Sequence, residues 1–166
     1  MKVQQTSLKG VLLITPPTVF EDHRGVYVES YNAKQYREAG IDVEFVQDCM
    51  SVSHKYVLRG IHGDDHTTKL VSCPVGDIYL VVINNDTDSP QFGEHVPFRL
   101  SETNHLQVLV PPKHGVGHLV LTSMAAFAYK QSSTYDPASQ WTIPWNTVPW
   151  PISNPILSER DRGLPA

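Results

Sequence analysis

Residues 77–84 read Asp77-Ile78-Tyr79-Leu80-Val81-Val82-Ile83-Asn84, and a run of turn-forming residues, 84–90, follows directly as Asn-Asn-Asp-Thr-Asp-Ser-Pro. A short β-rich segment that ends in such a cluster predicts a strand and then a surface turn. Similar segments separated by turn residues recur at 11–15, 25–31, 45–53, 57–62, 69–73, 95–101, 105–110, 117–123 and 125–132. This spacing predicts an all-β fold, either a sandwich or a jelly-roll barrel.

Two segments depart from the strand pattern. Residues 32–40 predict a short helix, because Asn32 can cap its start and Gly40 its end. From Gln140 onward, tryptophans alternate with prolines, which excludes a regular helix or a central strand there. We therefore expect one or two short helices and a Trp/Pro-rich C-terminal segment that wraps the barrel and buries its tryptophans. The chain as a whole, residues 1–166, is predicted to be a single domain.

Composition excludes several classes of partner. The 166 residues carry 13 Lys and Arg against 17 Asp and Glu, a formal net charge of -4, so no general positive field would hold nucleic acid or an anionic membrane. Any bound anion must therefore meet a local cluster of cations. No apolar run approaches the roughly 18 residues of a membrane span and no signal peptide is evident, which indicates a cytoplasmic protein. Cys49 and Cys73 form neither a disulfide framework nor a CxxC pair, so we interpret both as reduced and structural.

Chemically active side chains are concentrated in residues 58–66, which read Leu-Arg-Gly-Ile-His-Gly-Asp-Asp-His. If one strand continued through this stretch, His62, Asp64 and His66 would share a face, and His118 would supply a further ligand. Two histidines and a carboxylate are a usual facial set for iron. One hypothesis is therefore a metal-dependent cupin enzyme. The run Gly63-Asp64-Asp65 argues against it, because it resembles a turn, which would point the three side chains in different directions.

A second hypothesis is a metal-free acid/base site. Histidine exchanges protons near neutral pH because its reference pKa is about 6.5. His62 is the best candidate for the base, and a carboxylate that accepts its other N–H would hold the ring in place. Asp161 and Asp64 are both candidates for that carboxylate, and the residue types alone do not choose between them.

Ordered motifs extend across most of the chain, from about residue 10 to residue 161. They include Phe20-Glu21-Asp22-His23-Arg24-Gly25, Glu29, Phe45-Val46-Gln47-Asp48, Leu58-Arg59-Gly60-Ile61-His62, Lys69-Leu70-Val71, Asp88-Ser89-Pro90, Tyr129-Lys130, Trp145-Asn146, Trp150-Pro151 and Leu157-Ser158-Glu159-Arg160-Asp161. In these motifs the chain resembles the dTDP-4-dehydrorhamnose 3,5-epimerase family, which acts on nucleotide-linked 4-keto-6-deoxy sugars. The resemblance implies a small cupin-type jelly-roll, a homodimer that exchanges N-terminal strands, and catalysis without a metal or other cofactor.

The resemblance also implies roles for individual residues. His62 corresponds to the catalytic base, Asp161 to its partner and Tyr129 to the acid on the opposite face of the sugar. The positions that hold the nucleotide diphosphate or the sugar are Arg24, Glu29, Gln47, Arg59, Lys69, His118 and Arg160.

The reaction itself calls for these residue types. A ketone at C4 makes the hydrogens at C3 and C5 acidic, because the carbanion left behind delocalises as an enolate. Inversion then needs a proton donor on the other face, and the phenol of Tyr129, with a reference pKa near 10, fits that need. Lys69 is the candidate that stabilises the enolate oxygen. Arg24, Arg59 and Arg160 are candidates for gripping a diphosphate through their planar N–H donors.

One local geometry must be irregular if this assignment is correct. Strict alternation along a strand would put Arg59 and His62 on opposite faces. We therefore predict a bulge at Gly60.

Departures from the family concern the substrate. Gly63 and Asp64 stand where an aromatic residue and a Gln are usual, which predicts a larger or more polar sugar pocket. Three further positions differ. Cys49 replaces a usual Asn, and Gln140 replaces a usual Glu. Thr134, which Tyr135 follows, replaces the Tyr that stacks on thymine in the family. Residues 59–64 and 154–161 look most like the branch that epimerises GDP-linked 4-keto-6-deoxy heptoses for bacterial capsule.

The expected substrate is thus a GDP- or dTDP-linked 4-keto-6-deoxy hexose or heptose, inverted at C3, C5 or both, in surface polysaccharide synthesis. A barrel that binds a sugar nucleotide without catalysis is the remaining alternative. Such a barrel would keep Arg24 and Arg59 but tolerate the loss of His62 and Tyr129.

Overall fold

The computed structural model describes residues 1–16 and 18–163. Pro17 and residues 164–166, which the predicted single domain includes, lie outside the described residues. In chain order the described elements are β1 (Lys2–Gln5), β2 (Leu12–Thr15), β3 (Thr18–Asp22), β4 (Gly25–Glu29), α1 (Ala33–Glu38), β5 (Gln47–His54), β6 (Leu58–Gly63), β7 (Lys69–Val75), β8 (Asp77–Asn84), β9 (His95–Ser101), β10 (Gln107–Val110), β11 (His114–Val120), β12 (Met124–Gln131), β13 (Trp141–Thr142) and 3₁₀ helices at Pro137–Ser139, Trp145–Thr147 and Arg160–Arg162.

The strands form two main antiparallel sheets and a separate hairpin. One sheet has six strands in the order β1-β2-β10-β7-β12-β5, and the other has five in the order β13-β6-β11-β8-β9. The hairpin pairs β3 with β4. All ten strands predicted from the sequence are present, two of them, β8 and β9, with the predicted bounds. The prediction of an all-β jelly-roll barrel is confirmed.

The strand β8 shows why the two sheets pack together. Its alternate side chains Ile78, Leu80 and Val82 belong to the main core, which also contains buried residues of the six-stranded sheet. Val81 and Ile83 point to the other face, where a second cluster includes Val148 from the C-terminal segment. A strand whose two faces are both covered can carry apolar side chains on both, as this one does between Ile78 and Ile83.

The C-terminal segment wraps the five-stranded sheet, as predicted. The ring of Trp141 occupies the space beside Gly63, and the ring of Trp150 packs beside Gly117 and against Tyr79. The three tryptophans are only half-buried, however, because this segment lies over the outer face of the sheet rather than inside the barrel. Burial was therefore overestimated for these rings.

The helix α1 forms where Asn32 and Gly40 predicted it. The Oδ1 atom of Asn32 accepts a hydrogen bond from the Gln35 N–H at 3.3 Å, and Gly40 takes the left-handed conformation with a φ of 86°. Tyr36 anchors the helix, since its side chain is fully buried. Within residues 1–16 and 18–163, no helix has the length and apolar character needed to span a membrane.

Candidate active site

A cavity of about 570 Å³ opens between the two sheets. Its walls come from β5, β7 and β12 of one sheet, β6 and β11 of the other, and the C-terminal segment. Because side chains alternate along a strand, residues two apart on β12, namely Phe127, Tyr129 and Gln131, face it together. Eight of the ten predicted site residues line the cavity: Gln47, Arg59, His62, Lys69, His118, Tyr129, Arg160 and Asp161.

A bulge in β6 puts Arg59 and His62 on this cavity together. Arg59 pairs with His118 and His62 with Val116, so three residue steps on β6 match two on β11. Gly60 has a φ of 109°, and a Cβ atom there would lie 2.6 Å from the Val116 carbonyl oxygen. Only glycine fits this conformation and this close approach. The predicted bulge at Gly60 is confirmed.

His62 is paired with Asp161, the first of the two carboxylates that the sequence left open. The Nε2 atom of His62 lies 2.6 Å from Oδ1 of Asp161, whose side chain is 2% exposed. Burial alone would raise the pKa of the Asp161 carboxyl, but the hydrogen bond and charge of His62 outweigh it and hold that pKa below its usual value. Asp161 therefore stays ionised and keeps the imidazole oriented from behind, while the ring of His62 remains 30% exposed toward the cavity.

Tyr129 reaches the same cavity from the other sheet. Its strand β12 belongs to the six-stranded sheet, whereas β6, which carries His62, belongs to the five-stranded sheet. Burial, followed by contact with the Cys49 thiol, raises the pKa of Tyr129 to about 12. The phenol thus keeps its proton at neutral pH and is available as a donor.

His118 forms a neutral wall of the cavity. Its ring stacks on Phe127 with the centroids 4.0 Å apart and the planes within 9°. Burial, then the charges of Arg59 and His62, lower the pKa of His118 to about 3. Its Nε2 atom is buried and has no hydrogen-bond partner among residues 1–16 and 18–163. A neutral ring with one unused nitrogen can hydrogen-bond a substrate hydroxyl or carbonyl.

Lys69 is held at the cavity wall by Asp64. Its Nζ atom lies 3.1 Å from Oδ2 of Asp64, and the Gln140 Nε2 atom donates to the same oxygen at 3.2 Å. Asp64 is therefore not the partner of His62. Gly63 itself opens no space, since a Cβ atom there would lie 2.2 Å from the Trp141 ring that fills it. A larger or more polar sugar pocket stays a prediction.

Comparison with known proteins shows the family to which the chain belongs. The model of the dTDP-4-dehydrorhamnose 3,5-epimerase family matches residues 5–166. The chain belongs to this family. The epimerase of that name from Salmonella typhimurium is 39% identical over 99% of this chain and 94% of its own length. Two solved structures are also similar, each at 35% identity. The epimerase from Legionella pneumophila in complex with dTDP-4-keto-L-rhamnose has a TM-score of 0.91 and covers 98% of this chain and 90% of its own. The epimerase from Bacillus anthracis with TDP and PPi bound has a TM-score of 0.92 and covers 99% of this chain and 98% of its own.

Membership of this epimerase family makes the chain an isomerase. The arrangement of the histidine and aspartate side chains does not suit the alternative, a metal-dependent cupin enzyme. The strand β6 ends at Gly63, Asp64 turns toward Lys69, and His66 is exposed on the turn. Over the described part of the chain, no group of three or more His, Cys, Asp or Glu is arranged to hold a metal ion. The ligand set proposed for a metal cupin, His62, Asp64, His66 and His118, is therefore wrong, because the turn separates its members.

Two predicted substrate-binding residues do not reach the cavity of their own chain. Arg24 lies at the exposed tip of the β3–β4 hairpin, where its Nη2 atom is 2.6 Å from Oδ2 of Asp22. Glu29 ends β4 and accepts hydrogen bonds from the side chains of Asn32 and Gln35 at the start of α1. Within one chain of this epimerase, both positions belong to the hairpin and helix rather than to the site.

Other lining residues were not predicted as part of the site. Cys49, interpreted from the sequence as structural, lines the cavity, and its Sγ atom accepts a hydrogen bond from Gln47 at 3.2 Å. Tyr135 also lines it, and its backbone N–H donates to Oε1 of Gln47 at 2.7 Å. The alternation of β5 and β12 could have indicated Cys49 and Phe127, since each lies two residues from a predicted site residue. Tyr135 lies in a loop, and no periodicity indicates its direction.

Proposed function

We propose that this epimerase inverts C3, C5 or both of a nucleoside-diphosphate 4-keto-6-deoxy sugar through an enolate. The observation that carries the proposal is that His62 and Tyr129 line one cavity from two opposite sheets. A sugar ring between them would present one face to the imidazole and the other to the phenol. Abstraction on one face and reprotonation on the other is what inversion requires.

His62 takes the proton from the carbon next to the ketone. The ionised Asp161 accepts a hydrogen bond from the other ring nitrogen and stabilises the imidazolium that forms. The electron pair left on carbon moves into the C4 carbonyl, whose oxygen becomes negative. Lys69, at the cavity wall, stabilises this oxygen.

Tyr129 returns a proton to carbon from the opposite side. Its raised pKa, about 12, supports the role, because the phenol is protonated throughout the physiological range. After donation the phenolate regains a proton from solvent through the open cavity. His62 then loses its proton to solvent, which completes the cycle.

The remaining polar residues of the cavity serve binding. Arg59 and Arg160 provide guanidinium groups beside the reacting centre, oriented by the Ser53 and Thr142 hydroxyls respectively. They form the local cluster of cations that an anionic ligand of a net acidic protein requires. Gln47 and His118 complete the set that we assign to the diphosphate and the sugar.

The nucleoside is proposed to be thymidine. The named relatives act on dTDP sugars, and the half-exposed ring of Tyr135 at the cavity offers a surface for stacking a base. A GDP-linked heptose rests only on the sequence resemblance described above. Thermal shift with dTDP and GDP distinguishes them, because a ligand at 100 times its Kd stabilises the folded state by about 2.7 kcal/mol. A larger shift with GDP would reverse the assignment.

A homodimer would account for the positions of Arg24 and Glu29. The hairpin β3–β4 is a separate two-stranded sheet, and Val19, Phe20, Val26 and Tyr27 on it are all exposed. Apolar side chains on a projecting hairpin favour a covered surface. We propose that a second copy of the chain covers it and that Arg24 thereby reaches the partner's cavity. In the single chain β1 and β2 pair with their own sheet, so the hairpin is the exchanged element.

The test is incorporation of solvent deuterium into a 4-keto sugar nucleotide. We expect His62→Asn to lose exchange by at least about 100-fold, as removal of a general base does. Tyr129→Phe should lose inversion while keeping part of the exchange. The matched control is His66→Asn, which changes an exposed histidine on the adjoining turn and should leave both rates unchanged.

Near wild-type exchange in His62→Asn would contradict the enzymatic proposal and favour a binding barrel without catalysis. Full inversion in Tyr129→Phe would remove Tyr129 from the mechanism. The cytoplasmic location and the role in surface polysaccharide synthesis stay predictions from the sequence.

A further inference from the structure

Behind the cavity wall lies a carboxylate that the mechanism has not used. The side chain of Asp64 is 2% exposed and does not itself line the cavity. Its neighbours Lys69, 12% exposed, and Gln140 do line it. Asp64 can therefore act on a bound sugar through these two side chains.

The two oxygens of Asp64 have separate partners. Oδ1 accepts hydrogen bonds from the backbone N–H groups of His66 at 3.0 Å and Thr67 at 2.6 Å, and these bonds close the turn after β6. Oδ2 accepts hydrogen bonds from Nζ of Lys69 at 3.1 Å and Nε2 of Gln140 at 3.2 Å. One oxygen thus maintains the turn, and the other is directed at the groups of the cavity wall.

A lysine in this position needs such a partner. Its charge sits on a flexible four-carbon chain, so a single contact point decides where the ammonium lies. Arg59 and Arg160 line the same cavity and repel it. A buried carboxylate fixed by the turn offsets that repulsion and restricts the ammonium to one place.

We propose that Asp64 is a positioning residue, which holds the Lys69 ammonium where the enolate oxygen forms. This inference rests on the proposed function, since it assigns Lys69 to that oxygen. The pKa of Asp64 supports it: burial would raise this pKa, but hydrogen bonds from Thr67 and His66 and the charge of Lys69 lower it to about 2. The carboxylate is thus charged at every working pH.

Asp64→Asn separates the two functions of the side chain. The amide oxygen can still accept the His66 and Thr67 N–H groups, but the ammonium loses its counter-charge. We expect kcat for deuterium exchange to fall by about tenfold or more, but by less than the roughly 100- to 1,000-fold loss expected for Lys69→Ala. KM should change by less than about threefold, because the enolate exists only after binding. Asp65→Asn, the same change at the exposed neighbour, is the matched control and should keep kcat.

The double variant Asp64→Asn with Gln140→Glu tests the charge directly. It exchanges the amide and the carboxylate across an existing hydrogen bond, and it has the same net charge as the wild type. We expect it to recover at least about threefold in kcat over Asp64→Asn. A structural role in the turn alone would not be restored by a change at Gln140. The double variant also serves as the test if Asp64→Asn alone does not fold; kcat below one-tenth of wild type would then overturn the proposal.

The outcomes separate this inference from the proposed function. If Lys69→Ala is impaired and Asp64→Asn is not, or if the double variant recovers nothing, the positioning role of Asp64 is overturned while the epimerase mechanism stands. If His62→Asn keeps its exchange, the proposed function itself fails. A loss in Asp64→Asn with equal rises in KM would also count against positioning, because it would indicate general damage to binding.

Discussion

Two buried aspartates, Asp161 and Asp64, lie behind the two groups that are expected to handle charge during the reaction. Asp161 holds the imidazole of His62, and Asp64 holds the ammonium of Lys69. Both carboxyl groups are 2% exposed and both have a pKa below the usual value. Because a buried carboxylate is stable only when paired, each also links a cavity residue to the stability of the fold.

Acid should therefore destabilise the protein in a way that depends on Asp64. Its pKa is about 2 when folded and near 3.9 in an unfolded chain, which corresponds to about 2–3 kcal/mol of stability at neutral pH. This contribution is fully present above pH 4 and is lost as the pH falls toward 2. In urea unfolding, Asp64→Asn should be less stable than wild type by about this amount at pH 7, and the difference should shrink below pH 4.

The control for this measurement is again Asp65→Asn. Its side chain is exposed, and its Oδ1 accepts a hydrogen bond from the Trp141 indole N–H at 2.9 Å that an asparagine oxygen can also accept. Its effect on the free energy of unfolding should therefore stay within about 0.5 kcal/mol at all pH values. A difference between wild type and Asp64→Asn that does not vary between pH 7 and pH 2 would show that the charge of Asp64 is not what stabilises the fold.

At the scale of elements, the bulge in β6 is the feature on which the site depends. A regular strand would turn either Arg59 or His62 away from the cavity. The same bulge brings the Gly60 N–H to 3.4 Å from Oδ2 of Asp161. The bulge and the His62–Asp161 pair are thus joined by a direct contact.

Gly60→Ala should disrupt this element. A Cβ atom would lie 2.6 Å from the Val116 carbonyl oxygen, and the φ of 109° is strained for alanine. We expect a loss of about 2–3 kcal/mol in the free energy of unfolding and a fall in kcat of at least tenfold, measured by urea unfolding and deuterium exchange.

Gly93→Ala is the comparison for this variant. Gly93 also has a positive φ, of 80°, but a Cβ atom there would meet nothing within 4 Å. It should cost about 1 kcal/mol of stability and leave kcat unchanged. Equal losses of kcat in both variants would argue against a specific role of the bulge.

At the scale of the whole molecule, the cavity of one chain lacks Arg24. If the hairpin of a second copy supplies it, His62→Asn and Arg24→Ala should each be inactive alone but complement each other when their subunits exchange. In a mixed dimer, one cavity has both His62 and the partner's Arg24. An equal mixture should therefore recover about one quarter of wild-type exchange activity, since half the dimers are mixed and one site in each works.

Light scattering of the wild type and of Phe20→Ser completes this test. Phe20 is 67% exposed on the hairpin, so its replacement should weaken the dimer without unfolding the barrel. No recovered activity in a mixture shown to contain mixed dimers would mean that Arg24 does not act across subunits.

Several features were predictable from the sequence because they depend on neighbouring residues. The strands follow from β-rich segments bounded by turn formers, and α1 follows from Asn32 and Gly40. The strands β1, β3 and β13 were missed, since Lys2–Gln5 and Thr18–Asp22 lie at exposed positions and β13 has only two residues. Their pairing partners, rather than their own composition, make them strands.

The sequence by itself determined the all-β class, the family and eight of the residues that line the cavity. It did not determine which carboxylate serves His62, that Trp141 fills the space beside Gly63, or that Arg24 lies outside its own cavity. Asp64 is two residues from His62 and Asp161 is 99 positions away, yet the distant one forms the pair. Only the closed barrel decides this, because the wrapping of the C-terminal segment, and not distance along the chain, sets which groups share a buried space.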